Sequence, residues 1–196
     1  IAAIGTGLSA EGARQVEAAG RVLTPGFIDI HRHADLQPFL DQAEGEAPFA
    51  DHLLKQGITT IVNGNCGISH APLTERALEA GKTRIDAPVM GNLPDPQVQS
   101  FPAYLEALDG VDLPVNFLSL PGLGTLQIAV NGYEAGRLSE AAIQEVQGLV
   151  AEALDAGAPG VSIGLMYLPE IYRTQDQVVA MLKPLGSRGK VLTTHI

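Results

Sequence analysis

The 196 residues are 45% hydrophobic, enough for one ordinary domain with a packed core, so a disordered chain is excluded. No stretch reaches the roughly 18 uninterrupted apolar residues of a membrane span, and no charged start with a long apolar run marks a secretion signal. A formal charge of -10, with 22 acidic against 12 basic residues and no basic cluster, speaks against nucleic-acid or anionic-membrane partners and for small molecules. The default reading is a soluble protein.

Residues 1–24 read as short antiparallel strands, Ile1 to Gly5 and Gln15 to Leu23, of a separate small β element. From residue 25 onward, short apolar runs alternate with longer amphipathic ones, the pattern of an α/β fold with a parallel sheet. The strands expected are Gly26 to Ile30, Thr59 to Asn63, Val115 to Leu120, Gly160 to Leu165 and Val191 to Thr194. Each is nearly all apolar, as strands buried on both faces should be. Helices are expected over Ala47 to Gln56, Phe101 to Leu108, Ser139 to Ala156 and Thr174 to Arg188. Ser139 is a cap residue, Ile143, Val146, Val150 and Leu154 fall at helical spacing, and Gly157 ends the third helix. Pro184 should kink or end the fourth. The stretch from Gly67 to Ser100, with Pro72, Pro88, Pro94 and Pro96, is long for a connection and reads as a functional loop.

Chemistry concentrates at the ends of three of these strands. His31 and His33, one residue apart after Pro25-Gly26-Phe27-Ile28-Asp29-Ile30, point to the same side and can reach one cation. The competing reading is surface decoration in a chain with five His; the rigid turn and buried strand before the pair favour the metal. Cys66, the single cysteine, excludes a disulfide framework and suits a reducing compartment. It is either a small buried hydrophobe or, in Asn65-Cys66-Gly67 just past a strand, a thiolate ligand that favours zinc over harder cations. His195, after Val191 to Thr194, is either a hydrogen-bonded core residue or a third imidazole on the same mouth. Tyr167, after the fourth strand, is as well placed to pack as to donate a hydrogen bond to a carbonyl or carboxylate of a substrate; Tyr172 shares that loop. His52 and His70 read as ordinary residues, with His70 a faint substrate contact. There is no phosphate loop, nucleophile elbow or heptad pattern.

Thr24-Pro25-Gly26-Phe27-Ile28-Asp29-Ile30-His31-Arg32-His33 resembles the opening motif of the amidohydrolase superfamily. Gly57 to Ser69 with Asn65-Cys66-Gly67, Ala158 to Tyr167, and Thr194-His195 resemble its D-aminoacylase (N-acyl-D-amino-acid deacylase) branch. The resemblance implies the first five units of a distorted TIM-like (β/α)8 barrel over residues 25–196, and strands of a small β-sandwich in residues 1–24. It implies metal ligation by His31, His33, Cys66 and His195, with one or two zinc ions. Cys66 would replace the carboxylated lysine of hydantoinase relatives, and His195 would bind the tighter zinc. The implied activity is hydrolysis of linear amides by a zinc-activated water in the cytoplasm. The alternatives are a cyclic amidohydrolase of the dihydroorotase or hydantoinase kind, and a non-catalytic metal-binding barrel; oligomerisation stays open. The chain departs from the branch at Ala34-Asp35, where two acidic residues are usual, and at Gly122 to Gln127, where a Gly-His and a Thr-Leu-Arg run are usual. The family's further metal His and catalytic Asp follow the sixth and eighth strands, so a chain ending after its fifth strand is expected to be part of a longer protein, with no catalytic base among these residues.

Overall fold

The computed structural model describes residues 2–9, 11–44, 49–82, 85–86 and 99–195. Five parallel strands follow one another with helices between them. They are β1 (Phe27–Asp29), β2 (Ile58–Asn63), β3 (Asn116–Ser119), β4 (Gly160–Gly164) and β5 (Val191–His195). Their order in space is their order in the chain: β1 pairs with β2, β2 with β3, and β4 with β5. A single parallel bridge, Gly122 with Ser162, joins the end of β3 to β4. The expected strands are thus all present, each within two residues of its predicted ends.

The helices are α1 (Gln37–Glu44), α2 (Asp51–Leu54), α3 (Glu75–Glu79), α4 (Phe101–Asp109), α5 (Leu123–Asn131), α6 (Glu140–Asp155), α7 (Gln175–Met181) and α8 (Lys183–Ser187). In α6, Ser139 accepts a hydrogen bond from the Ala142 amide at 3.1 Å, and Gly157 follows the helix at φ +115°, where a side chain would be strained. Val146, Val150, Ala153 and Leu154 of α6 are buried with Tyr104, Leu126, Val161, Ile163 and Met181 in the main core. A second core packs Phe49, Ala50 and Leu53 against Ile61 and Val115.

Two expectations are corrected. Residues 2–9 and 11–26 form no strand, and Ile4, Val16 and Val22 are exposed; two short segments with no third strand among the described residues to pair with lack the partners a sheet needs. Of the helix expected from Ala47, residues 47 and 48 lie outside the described residues and the rest is the short α2. Pro184, expected to kink or end the helix over Thr174 to Arg188, divides it into α7 and α8, because it has no amide hydrogen to continue the ladder. Two helices form where none was expected: α5 after β3, and α3 in the long loop whose residues 83–84 and 87–98 lie outside the described ones. Among the described residues, no helix is long and apolar enough to cross a membrane.

Candidate metal centre

The C-terminal ends of β1, β2, β4 and β5 come together at one place, where Cys66 meets His31, His195 and Gly164. After β1 the backbone keeps to the β2 edge, with the Arg32 amide donating to the Val62 carbonyl at 3.0 Å. There the Arg32 guanidinium pairs with Asp29 at 3.2 Å, and the His31 and His33 rings meet edge-on with centroids 5.6 Å apart. Two asparagines hold the strand ends together. The Asn63 side-chain carbonyl accepts from the Ala34 amide at 3.0 Å. The Asn65 side-chain amide donates to the carbonyls of Ile30 at 3.3 Å and Val62 at 3.0 Å.

Cys66 sits in the turn after β2 at φ +60°, a left-handed conformation uncommon for a residue with a side chain. Its carbonyl lies against Gly164 at the end of β4, where a Cβ would come within 2.1 Å of it. That close approach aims the thiol at the strand ends. Cys66 Sγ lies 3.3 Å from His31 Nε2 and 3.2 Å from His195 Nδ1. Ligand atoms of His31, His33 and Cys66 all fall within 4.8 Å of one another. His195 is placed by the β4–β5 ladder, opposite Gly164, and the Tyr167 ring packs edge-on against it with centroids 5.0 Å apart.

Burial, together with the neighbouring charges of His31 and His195, lowers the pKa of His33, which keeps its imidazole neutral with lone pairs for a metal. Burial first, then the Glu170 charge, pushes the Cys66 thiol up. His33 Nδ1 is buried without a hydrogen-bond partner among the described residues. Imidazoles and one thiol converging at strand ends, with an orphaned ring nitrogen among them, form the borderline-soft donor set that suits zinc.

The predicted residues His31, His33, Cys66, His195 and Tyr167 therefore lie together. His52 does not join them; it is exposed on α2 with its Nε2 3.4 Å from Arg32. His70 is buried, its ring 5.9 Å from that of Tyr104. Sequence reasoning missed Asn63, Ser162, Gln127, Arg173 and Glu170. Ser162 accepts from the Gly67 amide at 3.0 Å. Gln127, at the position where the branch usually has arginine, accepts from Arg173 Nε at 2.7 Å, so a guanidinium does reach this place from the loop after β4. Asn63, Ser162 and Gln127 carry no local signal, because their partners Ala34, Gly67 and Arg173 lie 29, 95 and 46 residues away in sequence.

No family model matches the chain. The chain is 35% identical, over 100% of its own length and 38% of the relative's, to an N-acyl-D-glutamate deacylase of Alcaligenes xylosoxydans xylosoxydans. A solved D-aminoacylase described as defining a novel subset of amidohydrolases superposes with a TM-score of 0.69 at 32% identity, over 88% of this chain and 34% of that one. The N-acyl-D-glutamate deacylase of Bordetella bronchiseptica, solved with zinc and a phosphonate mimic of the tetrahedral intermediate, gives a TM-score of 0.69 at 31% identity over the same shares. The class that these relatives define is amidohydrolase. Within that class the chain is a homologue, along its whole length, of the D-aminoacylase subset. It spans 38% of the length of the curated deacylase it matches.

Proposed function

We propose that this chain is the metal-binding part of a zinc-dependent hydrolase of linear amides that removes the acyl group from N-acyl-D-amino acids. The observation that carries the reading is Cys66 Sγ in contact with both His31 Nε2 at 3.3 Å and His195 Nδ1 at 3.2 Å, beside His33. His31 and His33 would hold one ion, Cys66 would be shared, and His195 would hold the tighter zinc, in a centre of one or two ions. When bound, zinc polarises the amide carbonyl and lowers the pKa of its water toward about 7. Around it, burial keeps His33 neutral, Asn65 fixes the distance between the β1 and β2 ends, and the Tyr167 hydroxyl is the donor assigned to a substrate carbonyl or carboxylate. The general base is the Asp that the resemblance puts after an eighth strand, so the present residues bind and orient. The same resemblance supports a (β/α)8 barrel over residues 25–196 onward, a small β-sandwich that residues 1–24, strandless among the described residues, would join only with strands from further polypeptide, and a cytoplasmic setting in which the Cys66 thiol stays reduced.

A cyclic-amide hydrolase with a carboxylated lysine is less well supported. The buried Lys82 is engaged, donating to the Ser69 carbonyl at 2.9 Å and paired with Asp86, and it lies at no strand end. The test is metal analysis of the intact protein, with activity measured on N-acyl-D- and N-acyl-L-amino acids. Cys66→Ala should lower zinc affinity by more than about 100-fold, beyond the range typical of outer-shell partners, and lose the D-selective activity. Unchanged zinc content in that variant would rule out Cys66 as a ligand.

A further inference from the structure

We propose that Glu170 is a positioning residue: its buried carboxylate fixes the Cys66–Gly67 turn and so sets the thiol where it can ligate metal. The inference rests on the reading of Cys66 as a ligand. The turn needs support, since Cys66 at φ +60° and Gly67 at φ +73° are consecutive left-handed residues, and such a conformation is strained at a non-glycine residue. Part of the support is visible in the backbone. The Gly67 amide donates to Ser162 Oγ at 3.0 Å, and its carbonyl accepts from the Thr125 amide at 3.1 Å.

Glu170 closes the remaining side. It is only 2% exposed, and its Oε2 accepts from the Gly164 amide at 3.0 Å. A Cβ on Gly67 would lie 2.0 Å from that same oxygen, and one on Gly124 3.0 Å from it. One carboxyl oxygen thus accepts from the end of β4 and fills the space that side chains on Gly67 and Gly124 would need. Burial raises the Glu170 pKa to about 8, and the group sits beside the start of α5, whose N-cap Gly122 has no side chain to cap the helix. The other oxygen, Oε1, is buried with no partner among the described residues. A buried, half-satisfied carboxylate is costly, and an apolar residue would fill the same space more cheaply. What Glu adds is the acceptor that ties the end of β4 at Gly164 to the packing against Gly67 and Gly124 behind the thiol. Glu170 also lines a cavity of about 240 Å³ with Ile163, Leu165, Arg173 and Val178; truncating it would extend that cavity to the back of the Cys66 turn.

The test compares the intact protein with its Glu170→Ala, Glu170→Leu, Glu170→Gln, Cys66→Ala and Cys66→Ala/Glu170→Ala variants. Two readouts are used: zinc affinity of the metal-free protein, and the rate of iodoacetamide alkylation of Cys66 followed by peptide mass spectrometry. Glu170→Ala should weaken zinc about 10-fold or more, as supporting partners of metal ligands do, and speed alkylation several-fold. Glu170→Leu, which fills the space without an acceptor, should do the same and carries the test if the alanine variant does not fold. Glu170→Gln keeps a carbonyl for the Gly164 amide and should rescue both readouts. In the Cys66→Ala background the Glu170 substitution should add nothing. Equal weakening in that background, or unchanged zinc affinity and alkylation in Glu170→Leu, overturns the proposal. Failure of the wild-type protein to take up zinc would overturn the metal reading alone, because the alkylation rates still decide the role of Glu170.

Discussion

The His70 imidazole shows how burial at one residue becomes pH dependence. Burial first, then the Lys82 charge, lowers its pKa from 6.5 to about 4. Between those values the unfolded chain binds a proton that the folded one refuses, so the stability His70 contributes is present above pH 6.5 and lost as pH falls toward 4. Asp35 works in the opposite direction, since burial raises its carboxyl from 3.8 to about 6; its contribution is full below 3.8 and lost as pH rises through 6. His70→Phe should therefore flatten the acid side of the stability profile, by up to about 1.4 kcal/mol per pH unit between 6.5 and 4, read from urea midpoints. An unchanged slope would assign the acid sensitivity elsewhere. At this scale His31, His33 and His195 stood out in the sequence because they sit at the ends of apolar strands, and Cys66 because Asn65-Cys66-Gly67 comes just past one, although the left-handed turn that directs its thiol shows only in the fold. Glu170 was not, because its three glycine partners at 67, 124 and 164 span nearly a hundred residues and only the fold brings them together.

Among the elements, α6 and α5 mark the two limits of what periodicity conveys. The α6 helix has a cap, an apolar stripe and a glycine stop, and the structure forms it within one residue of its expected ends. Ser139→Ala should cost about 1 kcal/mol through the lost N-cap bond, a drop of roughly 2–4 °C in thermal midpoint for a domain of this size; no change would mean that water replaces the hydroxyl fully. By contrast, every residue of α5 from Leu123 to Val130 is buried. A helix covered on all sides shows no polar face, so the 3.6-residue alternation that reveals a surface helix is missing. Its nine residues therefore give no helix signal of their own. Burial makes it the more sensitive element: Leu126, at 0% exposure in the main core, should cost about 2–5 kcal/mol on truncation to alanine, measured by chemical denaturation.

Across the whole molecule the five strands follow from the sequence as short apolar segments separated by helices, whereas their sequential order is the one that the resemblance, not the alternation, implied. The N-terminal segment does not follow from the sequence, because strand character is realised only against a partner strand, and none of the described residues supplies one. The same logic applies to the two outer strands. Phe27 and Ile28 in β1 are 62% exposed, and Val191 and Leu192 in β5 are 57% and 44% exposed, although parallel strands are normally covered on both faces. The related deacylase is longer, with this chain matching 38% of it, so further polypeptide can cover these edges there. Produced alone, residues 1–196 should consequently bind a hydrophobic dye such as ANS several-fold more strongly than the longer protein and associate as concentration rises, since open apolar strand edges recruit one another. Substituting Ile28→Lys and Val191→Lys together should reduce both effects without disturbing the buried β2–β3 pairing. A monomeric, dye-silent 1–196 would instead mean that the exposed edges are tolerated as they stand, and that the covering polypeptide serves the chemistry rather than the fold.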